Sequence, residues 1–229
     1  MALSVLLATD GRPYYLLPAY PMLLAGGATA IEKWLRRASL LWARATYAAL
    51  IAITGVLFAP LALPLLQPET YVEYTGSLGV SMPRIENRRT SALPQLFADR
   101  FGWPEMVQAV ATAYYAIPAG EREKTAVFGQ DYGQAGAIDF YGPRLGLPKA
   151  ISGHLTYWYW GPREYTGEIV LVMGDRREVL EQKFDRVEKI GEVGHPYAMA
   201  SQHWDLFLCR GPKGWKNLQE IWPRLKNWN

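Results

Sequence analysis

Three stretches of the 229-residue sequence gather residue types that could do chemistry. The first, RPYYLLPAYP, sets Arg12, Tyr14 and Tyr15 ahead of a Leu-Pro step. A guanidinium offers forked donors matched to phosphate oxygens, and a phenol can donate one more hydrogen bond while its ring stays in a membrane interface. The stretch could hold a lipid phosphate, or it could be an ordinary interfacial belt of aromatics with a flanking charge. The second, GQDYGQAGAIDFYG, places Asp131 and Tyr132 where a strand meets a helix, and the free N–H groups of a helix start can receive an anion. Its spacing is neither the dinucleotide fingerprint nor a Walker loop, so a tight turn with glycine for close packing explains it equally well. The third, SGHLTYWYWGP, gathers His154, Tyr157, Trp158, Tyr159 and Trp160, suited to stacking on sugars or lying against a membrane. If the segment is extended, alternate rings face opposite ways and only some are free to bind. Ligand-facing candidates in this half are therefore Asp131, Tyr132, His154 and Trp158.

Other chemistries lack their parts. His154, His195 and His203 are scattered, with no H-E-x-x-H spacing and no cysteine partners, so no metal is expected. No G-x-S-x-G occurs, and no cofactor motif. Cys209 is the single cysteine, in the apolar run LFLC, where a buried thiol is expected. The net charge of +3 lies wholly in residues 1–66, with five Lys or Arg against two Asp or Glu. Residues 67–229 carry nineteen of each sign, which gives no signal for nucleic acid.

These candidates depend on two kinds of element. Nineteen residues separate Arg12 from Glu32, and twenty-four separate Arg44 from Glu69, all without formal charge. About 20 apolar residues cross a bilayer core, so transmembrane helices are expected over about 13–31 and 45–66. The first run is diluted by Pro18, Pro21, Gly26 and Gly27, and Pro60 and Pro64 should kink the second. Gly26 with Ala30 and Ala25 with Thr29 form small-residue pairs that let helices approach in lipid. Lys33, Arg36, Arg37 and Arg44 make the loop between the runs cytoplasmic, which puts both outer ends on the periplasmic or exterior side of the cell membrane.

Residues 67–90 read as a polar connector, and 91–229 as a soluble α/β domain. Helices should flank FGWP, with Pro104 in the first turn of the second. TAVFG, a short segment around Ala150 to Ser152, EIVLVM, DRVEKIGEV and WDLFLC read as strands. Asp131 should cap one helix with Gln134 as its box partner, and Asp175 another with Glu178. A short helix through Leu218, Ile221, Trp222 and Leu225 follows. Strands alternating with helices predict a small, mostly parallel sheet covered by helices.

YYLLPAYPMLLAGGA, LPQLFADRFGW, YGQAGAIDFYG and GLPKAISGHLTYWYWGP together resemble the C-terminal portion of bacterial membrane glycosyltransferases of the GT-C family, similar to dolichyl-phosphate-mannose–protein mannosyltransferases and the aminoarabinose transferase of lipid A. The resemblance runs from about Gly11 to Trp222. It implies transfer of a sugar from a polyprenyl-phosphate carrier to an acceptor hydroxyl at the outer membrane face. It also implies a base in an acidic first outer loop, and the sequence has no counterpart of that loop. The catalytic base is thus expected outside this chain, which alone should be inactive. Arg12 and Tyr15 match the family's basic residue and tyrosine near the carrier phosphate. Two alternatives stay open: a non-enzymatic, membrane-anchored module that binds glycans or supports assembly, and a half that pairs with a separately encoded N-terminal membrane half.

Overall fold

A computed structural model describes residues 13–37, 40, 42–79, 91–199 and 202–228, with nothing assigned to the side chains of residues 13–15. The chain divides into two compact units, Met1–Glu86 and Asn87–Asn229.

The first unit is helical. Pro13–Ala19 forms a 3₁₀ segment that leads into helix α1, Tyr20–Arg37. Helix α2, Ala43–Ala62, follows after a short turn. Among the described residues α2 is the one helix long and apolar enough to cross a membrane, and no side chain in it is buried. The expected first span thus divides between a 3₁₀ segment and an α-helix that continues to Arg37. Lys33, Arg36 and Arg37, expected in a loop, lie on the last turns of α1. Glu32 accepts from Arg36 at 2.8 Å and from Arg44 at 2.5 Å, pinning the end of α1 to the start of α2. The expected connector holds a further helix, α3, Pro68–Leu78, with Pro68 in its first turn and Gly79 ending it at φ +62°. The hydroxyl of Tyr74 in α3 donates to the carbonyl of Leu57 in α2.

The second unit is a four-stranded sheet with helices on both faces. After a turn at Gln95–Ala98 comes helix α4, Trp103–Ala116, and then strand β1, Thr125–Gly129. Helix α5, Tyr132–Tyr141, leads through 3₁₀ turns at Gly142–Leu145 and Leu155–Trp160 to β2, Ile169–Met173. Helix α6, Arg177–Lys183, runs directly into β3, Phe184–Val193, and β4, Trp204–Pro212, precedes the short helix α7, Leu218–Ile221.

The strand order is β1-β2-β4-β3. β1 and β2 are parallel, whereas β4 pairs antiparallel with both β2 and β3. The sheet is therefore mixed, which corrects the expectation of a mostly parallel one. The cause lies in the length of the connection from β3 to β4: the ten residues 194–203 fall short of the dozen or so that a parallel crossover needs, so β4 returns antiparallel. Ala150–Ser152 makes no strand; Ile151 forms a single parallel bridge to Phe128 and covers the outer side of β1. Asp175 does not cap α6 either. Its carboxylate accepts instead from the Arg176 N–H at 2.8 Å and from Gln130 Nε2 at 3.1 Å, and Arg176 occupies the cap position.

Alternation along β2 shows how the sheet is covered. Ile169, Leu171 and Met173 join Val127, Leu206 and Leu208 under α4 and α5, with Met106, Val110 and Ile138 in the same cluster. Val170 and Val172 face the other way with Phe207, Cys209, Leu180, Phe184, Leu218 and Trp222. Every β2 side chain is thus buried, as expected of a central strand with helices on both sides. Cys209 lies wholly within this second layer, where burial pushes its thiol up to about 12 and keeps it protonated at neutral pH. The edge strand β3 carries charges on its exposed face and a bulge between Lys189 and Gly191, two devices that discourage pairing with other chains.

Candidate functional site

The carboxyl end of β1, the start of α5 and the 155–160 turn converge on one region. Gly129 closes β1 so tightly against α5 that a Cβ there would lie 2.9 Å from the Ala135 nitrogen. This close approach fixes where α5 begins. Asp131 caps the helix, accepting from the Gln134 N–H at 2.8 Å. Gln134 reaches back one residue further than the box pattern predicts, its Oε1 accepting from the Gln130 N–H at 2.7 Å. The Tyr132 N–H donates to Nδ1 of His154 at 3.3 Å, and the two rings sit 5.3 Å apart.

Asp131, Tyr132 and His154 are thus brought together, but as a closed arrangement. The first free N–H groups of α5 already meet acceptors from Asp131 and His154, which leaves them little to offer an added anion. Close packing through glycine accounts for this motif.

Asp139, in the last turn of α5, is the best-connected carboxylate nearby. Its Oδ1 accepts from the Ala150 N–H at 2.8 Å, and its Oδ2 from the Tyr157 hydroxyl at 3.2 Å and from Arg163 at 3.3 Å. Burial, then the charge of Asp139, pushes the Tyr157 phenol up to about 12; burial raises Tyr165 to about 12 as well. A phenol raised in the fold stabilises it fully below the ordinary value of 10 and loses that contribution as pH climbs through about 12. Urea midpoints should therefore fall between those two values, and Tyr157→Phe should flatten part of the decline.

Trp158 belongs to a different cluster. Its indole N–H donates to the Trp222 carbonyl at 2.9 Å, and the Trp222 indole returns a bond of 2.9 Å to the Trp158 carbonyl. Beyond Trp222 the chain lies beside Gly153–Leu155: the Asn227 N–H donates to the Gly153 carbonyl and the Leu155 N–H to the Asn227 carbonyl, both at 2.8 Å. Lys226 consequently rests among three rings, its ammonium 4.2 Å from the centre of Trp158, 5.1 Å from Tyr159 and 4.8 Å from Trp228. The sequence reading did not include Lys226 or Trp228; their two-residue spacing in an extended tail, which puts both on one side, was the available signal. The expectation that alternate rings of 155–160 oppose each other fails because the segment is a 3₁₀ turn, and Tyr159 and Trp160 both stay exposed.

The sequence also gave no hint of an open groove of about 470 Å³ where β2 and β3 end and β4 begins, lined by Asp175, Glu192, His203, Trp204 and Asp205 among others. Its acids are engaged: Lys189 pairs with Asp205 at 2.7 Å and Glu192 at 3.0 Å, and Asp175 is held by Gln130. Among the described residues no group of His, Cys, Asp and Glu could hold a metal ion.

Arg12 lies outside the described residues. Tyr14 and Tyr15 fall within the 3₁₀ segment, but their side chains lie outside the description. Compared with known proteins, the chain matches no family model, no curated protein and no solved structure.

Proposed function

We propose that the chain is the C-terminal part of a membrane glycosyltransferase, which moves a sugar from a polyprenyl-phosphate carrier to an acceptor hydroxyl at the outer face of the cell membrane. The observation that carries this reading is α2. Its twenty residues bury no side chain, so about 30 Å of helix that is predominantly apolar beyond Arg44 would otherwise face water. The preceding segment supplies a second span: seven 3₁₀ residues rising about 2.0 Å each and the α1 residues before Glu32 rising about 1.5 Å each together reach about 32 Å. Lys33, Arg36, Arg37 and Arg44 set the turn between the spans in the cytoplasm, and residues 87–229 then lie outside. In this reading Arg12, Tyr14 and Tyr15, which open the first span in sequence, would serve the carrier phosphate, and the resemblance of this segment to GT-C enzymes supports that role. The catalytic base comes from a partner region, in keeping with the engaged state of Asp131 and Asp139.

The test is photolabelling in nanodiscs with a diazirine-bearing decaprenyl phosphate. Label should appear within residues 13–31 and be displaced by unlabelled decaprenyl phosphate. A charge-assisted phosphate contact is worth roughly 1.5–3 kcal/mol, so Arg12→Ala should weaken labelling about ten- to a hundredfold. Labelling that competitor leaves in place, or that Arg12→Ala leaves unchanged, refutes the carrier role and leaves a non-enzymatic anchored module.

A further inference from the structure

Two acid-free stretches of the second unit meet on one surface. Residues 140–162 and 221–228 contain Arg144, Lys149, Arg224 and Lys226 and not one Asp or Glu, although residues 67–229 as a whole carry equal numbers of each sign. The paired indole bonds of Trp158 and Trp222 and the ladder between Gly153–Leu155 and Asn227 hold the two together. Around that seam large rings stay in the open: Tyr159 is 62 % exposed, Trp160 58 % and Trp228 55 %, and Phe140 on α5 is exposed as well. All four basic side chains are exposed as well, and among the described residues none forms an ion pair with a carboxylate.

From this juxtaposition we infer that the Phe140–Trp160 and Trp222–Trp228 surface docks on a bilayer rich in anionic phospholipid, rings at headgroup depth and cations against the phosphates. Indole and phenol rings favour the boundary between hydrocarbon and water, because one edge is apolar and the other can hydrogen-bond. Basic side chains beside them add attraction to anionic lipid that decays within a Debye length. Lys226 serves both needs, since rings hold its ammonium at the surface without a neutralising acid. A soluble protein seldom leaves so many large rings together in water without a partner. A neutral glycan would use the rings but gain little from four unpaired cations, so charge complementarity selects the anionic bilayer.

This inference rests on the anchored reading above, and its test separates the two. An environment-sensitive nitrobenzoxadiazole probe is attached at Val56→Cys in α2, at Thr156→Cys on the surface, or at Glu178→Cys on α6, one site per variant; the buried Cys209 stays unlabelled. Each full chain is placed in nanodiscs of phosphatidylcholine alone or of an equal mixture with phosphatidylglycerol. The Val56 probe should emit blue-shifted in both discs. The Thr156 probe should shift to the blue in the mixed disc and much less in phosphatidylcholine, while the Glu178 probe stays aqueous. Arg144→Gln and Arg224→Gln should each lower the docked-to-free ratio about fivefold, with the folded state checked by unchanged near-ultraviolet circular dichroism. A Thr156 probe that stays aqueous in the mixed disc while the Val56 probe is in lipid overturns the docking and leaves the anchor standing. A Thr156 probe that moves only on addition of maltohexaose, in either disc, overturns it in favour of a glycan surface. An aqueous Val56 probe removes the anchor, and with it the inference.

Discussion

Asp139→Ala is expected to cost the second unit about 3 kcal/mol, because three donors lose their acceptor at once and one of them is a charge. The Ala150 N–H, the Tyr157 hydroxyl and the Arg163 guanidinium all converge on this carboxylate, whose side chain is 14 % exposed against 30 % for Arg163. Surface ion pairs contribute little, but here water cannot easily replace what is lost. Arg163 also donates to the Ala150 carbonyl at 3.0 Å, so the damage should spread along the segment that covers β1. Asp139→Asn keeps an oxygen for Ala150 and surrenders only the charge, and about half the loss is expected. Urea denaturation followed by tryptophan emission measures both. If Asp139→Asn were as stable as the parent yet abolished sugar transfer in a reconstituted enzyme, Asp139 would be acting in chemistry and the structural account would be wrong.

Gly153→Ala should be at least as severe. An added Cβ would stand 2.0 Å from the Leu225 carbonyl oxygen and 2.9 Å from its carbon. Both are backbone atoms, so no side chain can rotate away, and the tail must separate from Gly153–Leu155. With it go the two backbone bonds of Asn227 and the mutual indole bonds of Trp158 and Trp222. Overpacking of this kind costs about 3 kcal/mol when the neighbours cannot yield. Limited proteolysis should cut beyond Leu218 in the variant under conditions that spare the parent. Equal denaturation midpoints for variant and parent would show that the tail contributes no stability.

How far the sequence announces this structure depends on the range of the interactions involved. TAVFG, IVLVM and the core of α4 declare themselves through apolar runs and periodicity, which are local. Asp131 as a cap is equally local, since the bond it makes spans three residues. The direction of β4 is different: nothing in WDLFLCRGP distinguishes a parallel from an antiparallel neighbour, and only the shortness of the 194–203 connection decides it. Helix α3 is hidden by its composition. PETYVEYTGSL looks like a polar linker, and the informative residues are Pro68 at its start and Gly79 at its end. In the candidate site, Asp131 and Tyr132 were legible as the start of a helix, whereas the contact of His154 with Tyr132 was not. Nor was Lys226 among Trp158, Tyr159 and Trp228, because that arrangement exists only after distant segments meet.

The seam between Trp158 and Trp222 joins residues sixty-four positions apart. A nascent chain cannot complete it until Asn227 has been made and released, since the ladder to Gly153 and Leu155 needs that residue. Until then the 155–160 segment has neither its indole partners nor its backbone ones, and loop-closure entropy favours waiting. Its rings are free in the meantime to associate with lipid or with a chaperone. Completion of the last turns therefore times the maturation of the unit, and a released chain truncated after Trp215 should hold all four sheet strands while its aromatic surface stays open to digestion.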